Sequence, residues 1–288
     1  MKESDLSPSA ITRATFHNLL KCYPATREAV HNLKARNKKV PKSKKKEPQD
    51  ADQLGVSEEQ VKLEVEAFEE LDEWRYTTLP DAVRERGYLD KEEMVRLMEW
   101  KLKHGVFRPA LMGMIKSNAE SLIRKTTTTA FTSLPTTIST EDVKNSLDAL
   151  TKPLRGVGVA TASLILAIQS DHIPFYSDDV YLWLCLGMYP SLVEEEKNKV
   201  VKMIRANGEL SVKYNLQEYR GLYEAVEGLR QRLKSDGDGE MVSCSDVDKV
   251  AFVLRHIDVS GNFGNDNEGK KRKHDGDEDT GAKLSKRQ

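Results

Sequence analysis

The sequence predicts an all-α fold: a multi-helix globular core of roughly nine helices with polar ends. Three observations predict it. Apolar residues recur at helical spacing through most of residues 53–258, and each stripe has its own start and stop signals. No segment shows sustained period-two alternation between hairpin turns, so no sheet is expected. Residues 154–166, LRGVGVATASLIL, set two glycines around one small apolar residue directly before an apolar helix. With Leu147, Leu150 and Leu154 as an apolar stripe upstream and Pro153 closing it, the segment reads as helix, tight glycine turn, helix.

At 288 residues, with 38% apolar and 32% charged side chains, the chain can bury one core of roughly 200 residues and still have polar ends. Composition divides it into a basic, mostly disordered arm over residues 1–52, a helical domain over 53–258 and a disordered tail over 259–288. No apolar run approaches the roughly 18 residues of a membrane span, and there is no leader pattern. A soluble, unsecreted protein without a membrane partner is expected. Cys22, Cys185 and Cys244 are widely spaced, which suits a reducing compartment. No His and Cys residues have metal-ligand spacing, and there is neither a phosphate loop nor a nucleophile elbow, so no metal and no cofactor are expected.

The net charge of −1 hides an asymmetry. Residues 1–50 hold 12 Lys or Arg against 5 Asp or Glu, and residues 51–75 hold 2 against 9. A basic arm followed by an acidic helix face can fold back on it. Residues 34–46 contain eight basic side chains and no acid, with Pro41 among them. They read as a solvated linker, a nuclear address or a phosphate-binding arm. Ahead of them, residues 11–30 have enough apolar side chains for one short, marginal helix.

Within the helical domain, Ser57 and Gln60 form a capping-box pattern ahead of Val61, Val65, Phe68 and Leu71. Asp90 with Glu93 opens a helix bearing Met94, Leu97, Met98 and Leu102, which Gly105 stops; Pro109 starts the next. Trp100, Lys101, Lys103, His104 and Arg108 surround the Gly105 turn. They either track a nucleic-acid backbone or compensate a helix C-terminus, with His104 as a dipole-compensating cation. Asn118 stands at the cap position of a helix with Leu122, Ile123, Ala130 and Phe131. That helix is expected to be kinked or short, because Thr126, Thr127, Thr128 and Thr129 are β-branched.

Beyond the glycine turn, Pro174 marks a helix start with Asp178 and Asp179 in or just before its first turn, where carboxylates also serve as ordinary caps. Val180, Leu182, Trp183 and Leu184 make that helix central to the core. Another is expected over residues 192–204. Tyr214, Tyr219 and Tyr223 punctuate a helix continuing through Val226, Leu229 and Leu233, as half-buried packing residues. Residues 235–243 read as a linker, and Ser245 with Asp248 opens a last helix. In the tail, Lys270, Lys271, Arg272 and Lys273 form a compact basic cluster, a second nuclear address with an import receptor as its partner.

Gly156, Val157 and Gly158, followed at the family's spacing by Asp178, resemble the helix-hairpin-helix DNA glycosylase-like superfamily, over residues 140–187 only. The resemblance implies a core containing a helix-hairpin-helix, double-stranded DNA as partner and a nuclear setting. It also implies that the turn grips a phosphate, with Arg155, Gly156, Val157, Gly158, Ala160 and Thr161 as the nucleic-acid-binding residues. Asp178 would be the catalytic carboxylate that stabilises the cationic sugar or activates water, and Asp179 its fallback.

This chain also departs from the family's pattern. Ala160 stands where strand-cutting members have a Schiff-base lysine, so lyase chemistry by that route is not expected. Asp179, Val180 and Trp183 stand where threonine, histidine and a phosphate-binding arginine are common, and three cysteines cannot hold the iron–sulfur cluster of some members. Three readings follow: a nuclear DNA-binding protein that has lost catalysis, an active monofunctional glycosylase using Asp178, or a helical protein-interaction scaffold. Space discriminates between the first two. An enzyme keeps a polar cavity at Asp178, whereas a binding module fills it with Tyr176 and Trp183.

Overall fold

The computed structural model describes residues 6–38, 56–106, 108–134, 140–187, 203, 210–236 and 239–260. They build an all-helical, multi-helix core. In chain order the helices are α1 (Arg13–Lys21), α2 (Tyr23–Arg36), α3 (Glu58–Tyr76), α4 (Thr78–Arg86), α5 (Lys91–His104), α6 (Pro109–Lys116), α7 (Glu120–Thr132), α8 (Thr140–Thr151) and α9 (Val159–Gln169). There follow the single turn α10 (Asp178–Val180), which runs into a π-helical turn (Tyr181–Cys185), then α11 (Leu216–Ser235), α12 (Cys244–Arg255) and α13 (Ile257–Ser260). Among the described residues no helix is long and apolar enough to cross a membrane.

Local signals set many of the boundaries. The Ser57 hydroxyl accepts from Gln60 N at 3.2 Å, and Asp90 and Glu93 close a full capping box at α5. Gly105 follows the last residue of α5, and Pro109 opens α6. The threonine run does not shorten α7. Thr127 Oγ1 donates to Ile123 O at 2.9 Å and accepts from Leu89 N at 3.0 Å, and Thr129 Oγ1 donates to Lys125 O at 2.9 Å. These bonds satisfy the hydroxyls inside the helix and tie α7 to the start of α5.

Helix α9 is at the centre. Every residue from Thr161 to Ile168 is buried, which fits a helix with apolar or small side chains on all sides. It touches α4, α7, α8 and α11.

The N-terminal residues are not an arm over their described part. Ile11, Phe16, Leu19, Tyr23 and Val30 are buried in the common core, and α1 and α2 both pack on α12. Composition hid this because polar residues fill the outer faces of both helices; Pro24 lies in the first turn of α2, where proline is tolerated. The basic end of α2 meets the acidic face of α3: Arg36 makes a double hydrogen bond to Glu58 at 2.6 and 2.7 Å, and Lys38 pairs with Glu64 at 2.5 Å. The rest of the basic stretch, residues 39–46, the helix expected over 192–204 and the cluster at residues 270–273 lie outside the described residues.

Three further expectations are corrected. Asn118 does not cap α7, whose N-cap is Ala119. The helix near Asp178 starts at Asp178 itself behind Ser177, not at Pro174. The capping box of α12 is Ser243 with Asp246, two residues earlier than Ser245 with Asp248; Asp248 faces inward and is buried.

A buried polar cluster joins these layers. Asp72 on α3, 1% exposed, accepts from Tyr23 Oη at 2.9 Å, Arg27 Nη1 at 3.2 Å and Trp100 Nε1 at 2.8 Å. Next to it, Arg75 lies over the rings of Tyr76 and Trp100 at 4.1 and 4.9 Å, and Tyr76 donates to Asp248 at 3.0 Å. A buried carboxylate is tolerable only when donors replace its water, and removing one partner of such a set strands the others. Asp72→Ala is therefore expected to lower stability by about 3–5 kcal/mol, read as a shift in the urea midpoint. A change below ~1 kcal/mol would show that the cluster does not hold α2, α3 and α5 together.

Candidate functional site

The connection between α8 and α9 is built around two unlike glycines. Gly156 has φ +78°, and a Cβ there would lie 2.9 Å from Met114 Cβ. Both the left-handed backbone and the close approach of α6 exclude a side chain. Gly158 has φ −92° and open space where a Cβ would go. Its place is the N-cap of α9, which has no side-chain cap. The amides of Val159 and Ala160 precede the first bonds of α9, which run from Thr161 N and Ala162 N to Gly158 O at 3.0 and 2.9 Å, the state in which a helix start attracts an anion. Asn118 holds the turn from behind: its Oδ1 accepts from Arg155 N at 2.9 Å and its Nδ2 donates to Arg155 O at 3.0 Å.

Of the residues expected to face a phosphate, Arg155 and Gly158 are exposed, Gly156 and Ala160 half-buried, and Val157 and Thr161 buried. The last two face inward, so neither side chain is on the outer surface of the turn. Thr161 Oγ1 instead accepts from Lys101 Nζ of α5 at 3.1 Å.

Asp178 and Asp179 start α10, behind the N-cap Ser177, whose Oγ accepts from Val180 N at 3.2 Å. The segment leading there is pinned to α9 and α11: Tyr176 N donates to Ser163 Oγ at 2.9 Å, and Tyr219 Oη donates to Pro174 O at 3.0 Å. Both aspartates line a cavity of about 370 Å³. Its walls are the end of α5 with the chain after it (Lys101, His104, Arg108), Ala160 from α9, Tyr176 and Tyr214, and Lys34, Arg255 and His256 from the far helices. Trp183 does not fill this space. It is 1% exposed and donates from its indole to Leu6 O at 3.0 Å.

Tyr214 precedes α11 with φ +51°, a conformation that costs a bulky residue energy and is found where structure over-determines it. Its hydroxyl donates to Asp178 Oδ1 at 2.8 Å, and Arg108 approaches the same hydroxyl at 3.4 Å with its guanidinium 5.1 Å from the ring centre. Burial pushes the Asp178 carboxyl upward; the Tyr214 hydrogen bond and the charges of Arg108 and Lys101 oppose it. Burial pushes Asp179 to about 7 against the opposing charge of Arg255, whose Nε lies 3.9 Å away, while Asp178 and Asp248 add to the rise.

The cations are equally constrained. Lys101 is lowered to about 8 by burial and by Arg108, with Asp178 opposing. Lys34 is lowered to about 8 by burial and donates to the carbonyls of Lys103 at 2.9 Å and His104 at 2.7 Å, capping α5. His104 is therefore not the compensating cation of that helix end. It is 5% exposed, and burial together with Lys34 holds it well below the usual histidine range, so it is neutral. His256 is lowered to about 3 for the same reasons. Among the described residues no group of His, Cys, Asp and Glu side chains is placed to hold a metal ion.

The structure thus brings Asp178, Asp179 and Ala160 to one cavity, joined by Lys101, His104 and Arg108 from the basic turn. Sequence reading missed Tyr214, assigned to packing, and Lys34, Arg255 and His256, which arrive from distant segments. No protein-family model, characterised protein or solved structure matches the chain.

Two measurements follow from this geometry. Gly156→Ala is expected to cost about 2–4 kcal/mol of stability through its backbone and its contact with Met114, and Gly158→Ala to stay within about 1 kcal/mol of the parent; equal losses in denaturant titrations would refute the division of roles. Asp179, with a folded pKa raised above its unfolded value, favours the fold at low pH and loses that contribution as pH rises from about 4 to about 7. Asp179→Asn should gain stability relative to the parent across that window and hold a constant difference above it. A pH-independent difference would mean that Asp179 titrates normally.

Proposed function

We propose that the chain is a DNA-binding protein of the helix-hairpin-helix glycosylase-like kind, and that the cavity at Asp178 receives an everted nucleotide and releases its base. The observation that supports this best is the cavity of about 370 Å³ at Asp178, lined by both charged and apolar side chains and walled in part by the first turn of α9. In this reading α8, the glycine turn and α9 act as the hairpin. The amides at the start of α9 and the exposed Arg155 hold a phosphate, and the adjoining cavity takes the nucleotide beside it.

Asp178 then acts on the sugar. As the bond from C1′ to the base nitrogen breaks, its electron pair leaves with the base and positive charge develops on the ring. The Asp178 carboxylate opposes that charge, and a water oxygen adds to C1′ while its proton passes to Asp178. Tyr214, Arg108 and Lys101 favour the ionised form of Asp178 that this role needs. Ala160 leaves no amine at the family's lyase position, which fits base release without strand cleavage by that route. The basic stretches at residues 39–46 and 270–273 are proposed as a nuclear address read by an import receptor.

The test uses the full chain, because residues 6–38 belong to the core. Affinity is compared for a duplex with a non-cleavable abasic-site analogue and for the undamaged duplex, at physiological salt. Preference for the analogue is expected, with Asp178→Asn losing base release while retaining that affinity. Gly158→Ala, which the fold tolerates, should weaken binding to both duplexes, since its methyl group stands between the backbone and the phosphate. Equal affinity for the two duplexes removes the everted-nucleotide reading, and absence of binding to either favours the interaction scaffold.

A further inference from the structure

We infer that the cavity selects neutral, carbonyl-bearing nucleobases and rejects cationic, N-alkylated ones. This rests on the preceding reading and names its substrate class.

The first ground is charge. Four cationic side chains, Lys34, Lys101, Arg108 and Arg255, line the cavity against the two carboxylates of Asp178 and Asp179. Lys34 is spent on the end of α5, and Arg255 faces Asp179. Arg108 and Lys101 are the cations that most oppose the rise of the Asp178 pKa. An ammonium has three N–H donors and a guanidinium five, and neither can accept. One Lys101 donor goes to Thr161 Oγ1. Arg108 is engaged with Tyr214, so the donors at this wall are the other N–H groups of Lys101, and their natural complement is a base edge with carbonyl oxygens.

The second ground is the behaviour of rings already on this wall. His104 and His256 are imidazoles in the same lining, and both are held neutral by burial and by the positive charges around them. His104 Nε2 is buried with no hydrogen-bond partner. An alkylated purine is likewise a delocalised cation on an imidazole-type ring, and the environment that disfavours imidazolium disfavours it too.

The third ground is the aromatic lining. Recognition of a flat cation commonly relies on a ring face. Here the Tyr214 ring already receives the Arg108 guanidinium at 5.1 Å, and Tyr176 is packed against Tyr181 at 5.3 Å and Tyr214 at 5.4 Å between ring centres. The protein's own cation and rings occupy the surfaces that a cationic base would need.

Matched pairs of lesions test this in the full chain. Duplexes containing 8-oxoguanine are compared with duplexes containing 7-methylguanine, and uracil with 3-methylcytosine; within each pair the second base is the cation. Binding and base release are both measured, with the abasic-analogue duplex as reference. The neutral, carbonyl-bearing member should win by at least about tenfold in one pair or both, and the cationic member in neither. Lys101→Met should narrow that ratio in binding. Preference for a cationic member, or no discrimination in either pair by a chain that does prefer the abasic analogue, overturns the selectivity and leaves the DNA reading standing. No preference for the abasic analogue overturns both.

Discussion

The carboxylate of Asp72 is the constraint on which much of this structure rests. It lies on α3 and takes hydrogen bonds from Tyr23 and Arg27 of α2 and from Trp100 of α5. A buried carboxylate without donors is costly, so the three helices are fixed together or not at all. Trp100 stands one turn before His104, and its ring lies 4.6 Å from the His104 ring. The position of that turn decides where Lys101, His104 and Arg108 meet the segment bearing Asp178. A core interaction with no direct part in the site thereby sets one of its walls.

Adjacent residues in one helical turn have unlike surroundings. Asp178 points to Tyr214 and the cavity, where donors and cations support its charge. Asp179 lies nearer Arg255 and Asp248 on the last long helix, and burial holds it at about 7. One carboxylate is held at the cavity by Tyr214, the other at the fit between α10 and α12. The π-helical turn that follows, with Leu186 N bonded to Tyr181 O at 3.2 Å, is a departure from α geometry of the kind that recurs beside functional sites.

Much of the helical architecture was legible because its signals are local. Ser57, Asp90 with Glu93, Gly105 and Pro109 act on amides within a few residues of themselves, and the expected boundaries hold there. Expectations failed where the partner is remote. Asn118 has a cap's composition but its side chain serves the backbone of Arg155. The first two helices are too polar to announce a core, and only packing against α3 and α12 makes their few apolar residues count. At the site, the motif pointed to Asp178, and the turn at Gly105 pointed to Lys101, His104 and Arg108. Tyr214 gave no signal, since its positive φ is imposed by its surroundings and has no residue signature.

The cavity also has a history in time. Its lining begins with Lys34 on the second helix and ends with Arg255 and His256 at the close of the twelfth, so its walls are among the most widely separated contacts in the chain. Such contacts form late, after nearer ones have given up their loop entropy. The glycine turn, by contrast, is held by α6 and by Asn118 just beyond it. A partly folded chain can thus form the turn before it has any pocket. The surroundings of Asp178 are complete only in the finished fold.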